Sequence, residues 1–190
     1  MRVLSKINSV HNLLRWSAAA IAFALVLSAR ADEDMSVEAS SNRHQEAGLP
    51  VADSIVVHKS ARHMELIRRG QVLRTYKIQL GLRPSGPKEE EGDFRTPEGR
   101  YMLARRNARS DYFLSIEISY PNDADVVRAK HLKVKPGGSI MIHGSPNVPR
   151  KASDYYAHVD WTDGCIAVSN SDMVEIWLMT QPGTPIEIFP

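Results

Sequence analysis

Apolar residues change their spacing several times along this chain, and each change marks a different kind of element. An uncharged apolar run spans residues 16–27. Over residues 32–52 no apolar period survives. That stretch is polar, acidic and rich in Ser and Ala, and reads as a flexible tether. The folded domain is therefore expected over residues 53–190. The β-branched run Ile55-Val56-Val57, then Met64-Glu65-Leu66-Ile67-Arg68, then residues 72–80 predict three short antiparallel strands. In the third, Val72, Arg74, Tyr76, Ile78 and Leu80 share one face. Gly70 supplies the tight turn that precedes it.

Residues 81–99 break the pattern, because Pro84, Gly86, Pro87, Gly92 and Pro97 forbid regular structure. A loop this long inside a compact domain is often functional. Its acidic run, Glu89-Glu90-Glu91, reads as solvated, with a substrate ammonium as the alternative partner. Strands are predicted again at 101–104, 113–120, 139–142, 165–168 and 186–189. Helical signals occur at 122–130, with Asn122 as cap, and at 172–179, capped by Ser169 or Asn170. Met173, Ile176 and Trp177 would face inward from the second. The pattern gives a mostly β domain with one or two short helices.

The start of the chain belongs to a different class of segment. Arg2, Lys6 and Arg15 make it basic, the apolar run follows, and Ala29-Arg30-Ala31 offers small residues for cleavage. Residues 1–31 thus read as a secretory signal, which places the mature protein outside the cytoplasm; an uncleaved anchor is the alternative. The apolar run is shorter than the about 20 residues a membrane span needs. The whole chain carries a formal charge of +2, from 24 basic and 22 acidic residues. Four basic residues (Arg2, Lys6, Arg15, Arg30) and no acid lie in 1–31, so 24 minus 4 leaves 20 basic against 22 acidic, a net of −2. Nothing in that balance calls for nucleic acid.

Cys165 is the chain's one cysteine, so no internal disulfide can form. The thiol is buried and inert, paired with another chain, or kept for its reactivity. Its setting bears on the choice. Ile140-Met141-Ile142-His143-Gly144-Ser145-Pro146 and Asp160-Trp161-Thr162-Asp163-Gly164-Cys165-Ile166 each place one reactive side chain beside a glycine at the end of an apolar strand. If those strands are neighbours, His143 can take the thiol proton and release the nucleophilic thiolate. Backbone N–H groups around Gly164 and Cys165 could then receive an oxyanion. His58, His63, His131 and His158 stand at no spacing that completes a ligand set with Cys165, and no metal or other cofactor is expected.

His143-Gly144, followed at a distance by Thr162-Asp163-Gly164-Cys165-Ile166, resembles the catalytic motif of the L,D-transpeptidase (YkuD) family. Thr96-Pro97-Glu98-Gly99-Arg100-Tyr101 resembles a further segment of the same domain. Asp160-Trp161-Thr162-Asp163-Gly164-Cys165 and Glu175-Ile176-Trp177 resemble the YafK-like branch. The resemblance implies a β-rich, sandwich- or barrel-like fold, Cys165 as nucleophile, His143 as base, the Gly144 carbonyl orienting the ring, and Gly164 in the oxyanion region. It also implies peptidoglycan tetrapeptide stems as acyl donors, D-alanine as leaving group, an amine or a wall-linked protein as acceptor, and acylation by carbapenems. Trp161, Thr162, Asp163 and Ser145 become candidates for substrate binding. A monomer is expected.

Two positions depart from the commoner family pattern. Asp163 replaces a histidine and Ala167 an arginine. Asp163 either binds His143 or a substrate ammonium, or raises the thiol pKa by its charge. Arg83, Arg95 and Arg128 are the candidates to replace the lost carboxylate clamp. The alternatives to a transpeptidase are a hydrolase on the same scaffold, a non-catalytic wall-binding module, and a structural domain whose thiol pairs with a partner chain.

Overall fold

The computed structural model of this chain describes residues 48–190. The predicted signal (1–31) and the tether up to residue 47 lie outside the described residues. Ala52, read from sequence as tether, is buried, and its N–H donates to the Met179 carbonyl at 2.7 Å. The ordered domain is thus fastened one residue before its expected start.

Strand β1 (Ser54–His58), β2 (His63–Arg68) and β3 (Gln71–Lys77) form the antiparallel series that the alternation predicts. Ile55 and Val57 of β1, and Met64 and Leu66 of β2, are buried, while their neighbours face outward. The β2–β3 turn holds Arg69 and Gly70 both at positive φ, 51° and 76°, the twist that a two-residue hairpin favours. Long β4 (Gly99–Ser110) pairs with β5 (Phe113–Ile118), and β6 (Met141–His143), β7 (Ile166–Ala167) and β8 (Pro185–Phe189) complete the set. The eight strands make one mixed sheet ordered β3-β2-β1-β8-β4-β5-β6-β7, parallel at β1–β8 and β6–β7. Beyond β3 the chain crosses to the far edge, where the N–H of Gln79 donates to Ala167 and that of Ala167 donates back. This joins the two ends of the sheet and gives it barrel character.

β4 runs well past the predicted 101–104. Residues 105–109 are polar except for Ala108 and carry no alternation, and register shifts interrupt the ladder there. Its length comes from the partner strand β5, which a local pattern does not show.

Three helices stand among the described residues, against the one or two expected. Helix α1 (Asp123–Leu132) has a full capping box between Asn122 and Asp125. Helix α3 (Asn170–Met179) is capped by Ser169 and buries Met173, Ile176 and Met179. Helix α2 (Ser153–His158) is the addition. It has six residues, no side-chain cap and no buried position, so it has no apolar stripe to announce it.

Residues 81–99 are a built wall. The buried Lys59 ammonium donates to the carbonyls of Gly86 (2.7 Å) and Thr96 (2.8 Å) and to Glu98 Oε1 (2.8 Å). Asp93 accepts from Lys88 Nζ at 2.6 Å and from the N–H groups of Glu89, Glu90 and Arg95. Burial alone would raise the Asp93 carboxyl, but these donors hold it below the ordinary range. Lys59→Met keeps the apolar stem and strands three acceptors. It should cost about 2–4 kcal/mol in urea unfolding. An unchanged midpoint would mean that water replaces the ammonium at no cost.

Candidate active site

β6 lies between β5 and β7, and this position builds the site. Ser115 of β5 pairs with His143, while Ile142 and His143 pair in parallel with Ile166 and Ala167. One step back in that register Cys165 falls beside Met141, on the strand face that His143 shares. Both side chains line one cavity of about 730 Å³, together with Ser139, Ile140, Tyr112, Trp161 and Asp163. That volume suits a short peptide segment.

His143 is buried, and its Nδ1 lies 2.7 Å from the Gly144 carbonyl. A carbonyl can only accept, so Nδ1 carries the hydrogen and Nε2 keeps the free lone pair. The ring is held by Tyr112 (centroids 4.6 Å apart) and by the edge of Trp161 (5.4 Å). Burial pushes the imidazole down to about 4, against the pull of the Gly144 carbonyl. A Cβ at Gly144 would stand 2.5 Å from Asn170 Oδ1 and 3.1 Å from Phe113 Cβ, so a larger residue there forces those side chains to shift.

The half-buried Cys165 thiol points toward the Ser139 carbonyl, 3.7 Å away. Burial pushes it up and the Asp163 charge adds to that; the Met141 N–H and the Lys88 ammonium oppose them. The resting pair is therefore neutral thiol and neutral imidazole.

The turn into Cys165 is made by Thr162. Its hydroxyl donates to the Cys165 carbonyl (2.8 Å) and accepts from the Gly164 N–H (3.1 Å). Thr162 therefore shapes the turn, and the Gly164 N–H, an expected oxyanion donor, is already occupied. The Cys165 N–H has no partner among the described residues. Gly164 has φ +132°, and a Cβ on it would sit 2.7 Å from the Arg95 carbonyl, so no other residue fits. Ser145 is not brought to the cavity; its N–H donates to Asn170 Oδ1 beside α3.

Residues 52–188 match the family model of the L,D-transpeptidase catalytic domain, YkuD. The chain belongs to that family. It is 30% identical over 161 residues to YafK of Escherichia coli strain K12, a provisionally assigned L,D-transpeptidase, covering 78% of this chain and 57% of the relative. Among solved structures it is similar to the helical cell shape determining protein Pgp2 of Campylobacter jejuni, at 25% identity and TM-score 0.54, over 74% of this chain and 50% of that one. Bd1075 of Bdellovibrio bacteriovorus is similar at 25% identity and TM-score 0.51, over 74% and 51%. The chain thus spans about half the length of the relatives it matches.

The family's departures can now be placed on this L,D-transpeptidase domain. Ala167 pairs with His143 and shares its sheet face, but it is fully buried beside Gln79 and does not line the cavity. None of the three arginines offered as substitutes lines it. Arg95 is held by Glu89 and the Pro87 carbonyl, Arg128 by Asp125, and Arg83 is exposed. Lys88 is the lysine on the wall, tied to Asp93. Asp163 is exposed at the mouth and has no hydrogen bond to His143; its charge acts on the thiol instead. Lys88, Phe94 and Tyr112 also line the cavity and were not singled out from sequence, whereas Glu91, which lines it too, belongs to the acidic run that was. The one signal available for Lys88 and Phe94 was the unusual length of the 81–99 loop.

Proposed function

We propose that this chain is an exported enzyme that transfers acyl groups of peptidoglycan stem peptides through a thioester on Cys165. The observation that carries this reading is the convergence of Cys165 and His143 on one peptide-sized cavity, with His143 Nδ1 fixed by Gly144 so that Nε2 is the base. Likeness to a cell-shape determinant and to a YafK-type protein supports a wall substrate. Location in the periplasm rests on the predicted signal over 1–31.

Cys165 Sγ attacks the carbonyl carbon at the L-centre of the diamino acid, while His143 Nε2 takes the thiol proton. The oxyanion falls to the unoccupied Cys165 N–H. The C–N bond breaks, and the imidazolium returns the proton to the leaving D-alanine amine. An acceptor amine then attacks the thioester carbonyl, His143 takes its proton, and the C–S bond breaks to restore the thiol. Water in place of the amine gives hydrolysis. Glu91 and Asp163, both at the cavity, favour a cationic group in the substrate or acceptor.

Mass spectrometry of the full chain incubated with disaccharide-tetrapeptide should show a cross-linked dimer lacking one D-alanine, and none with the Cys165→Ala variant. A tripeptide product would move the assignment to the hydrolase. No product together with no covalent adduct on Cys165 would leave the wall-binding module as the better reading.

A further inference from the structure

The outer face of the β1–β2 hairpin carries a group of side chains that the thiol chemistry does not use. His58 and His63 are register partners at the end of the hairpin, and their rings lie 4.7 Å apart. Glu65 follows His63 by two residues and so shares its face; His63 Nε2 and Glu65 Oε1 are 3.5 Å apart. All three donor atoms lie within 4.8 Å of one another. All three side chains are partly exposed, and none lines the Cys165 cavity.

We propose that His58, His63 and Glu65 form a surface site for a divalent transition-metal ion of the zinc type. In a tetrahedral site with bonds of about 2.0–2.1 Å, two donors stand roughly 3.3–3.4 Å apart. The His63–Glu65 separation already meets that edge, and small rotations of the His58 ring close the others. The donors come from paired strands, so their backbones are fixed before an ion arrives. Phe189 stacks on His58 at 5.7 Å and 16°, which restrains the ring. Two imidazoles and one carboxylate suit Zn²⁺, with water completing the shell. Hard cations such as Mg²⁺ prefer all-oxygen sites and are disfavoured. Lys77 is the register partner of His63 on β3, and its charge opposes the incoming ion. The ion would tie β1 to β2 immediately before Lys59, the residue that anchors the cavity wall.

The test is calorimetric titration of the full chain with Zn²⁺ alone near neutral pH, in a Cys165→Ala background so that the active-site thiol cannot bind the ion. One ion should bind per chain. His63→Asn and Glu65→Gln should each weaken it at least about tenfold, since even outer partners of metal ligands cost that much. His131→Asn, on the exposed part of α1, should leave it unchanged. Melting without zinc establishes that the variants are folded, and zinc should raise the melting temperature of the parent more than that of either. No saturable binding, or equal binding by the parent and His63→Asn, would overturn the site and leave an ordinary histidine–carboxylate pair.

Discussion

Replacing Cys165 with alanine is expected to abolish turnover and adduct formation while leaving the fold within about 1 kcal/mol of the parent. The side chain is half-buried, and its polar contacts are the Ser139 carbonyl at 3.7 Å and the Met141 N–H. Deleting one sulfur atom there opens little cavity. Chemically the loss is total, because no other cysteine exists in the chain. The thiol's reactivity should also carry the mark of its surroundings. Burial and Asp163 push it up, and burial pushes His143 down, so the rest state is not a thiolate–imidazolium pair. Alkylation by iodoacetamide should therefore climb through neutral pH into the alkaline range, with no acidic plateau. A plateau below pH 6 would show a preformed ion pair and would overturn the neutral rest state. Residual turnover in Cys165→Ala would remove the covalent mechanism altogether.

The elements that sequence revealed are those whose stability is local. β1 and β2 alternate cleanly between buried and outward positions, and α1 and α3 carry side-chain caps together with buried positions. What stayed hidden depends on partners distant along the chain. Lys59 reads as the polar end of a strand, yet it is buried because the loop 27–39 residues later supplies three oxygens. The second half of β4 is polar and exists because β5 pairs with it. At the site, the two reactive residues were legible because each sits beside a glycine at a strand end. The roles of their neighbours were not. Thr162, a candidate for substrate, spends its hydroxyl on the turn, and thereby consumes the Gly164 N–H. Asp163 was legible as a charge with three possible effects; in the fold it makes no hydrogen bond to His143, and its charge adds to the upward push on the thiol.

His143→Ala should lower kcat/KM by roughly 10²–10⁴-fold, the range for a lost general base. His143→Asn should lose as much, since an amide can donate to the Gly144 carbonyl but cannot take a proton. The acid limb of the parent's pH profile tests the same burial. With the imidazole pushed down to about 4, the basic form persists well below the ordinary histidine range, so the limb should fall nearer pH 4 than 6.5. Folding stability should respond too, and the sign follows from which state binds the proton first. An unfolded histidine takes its proton near pH 6.5, whereas the buried native ring resists until about 4. Between those values the unfolded state holds more protons, so the native state loses stability as pH falls, by about 1.4 kcal/mol per unit and roughly 3 kcal/mol in all. His143→Asn cannot titrate, so its melting temperature should fall less than the parent's between pH 7 and 4.5. Parallel declines would mean that the ring accepts a proton in place, and with it that water reaches a side chain the fold buries between Tyr112 and Trp161.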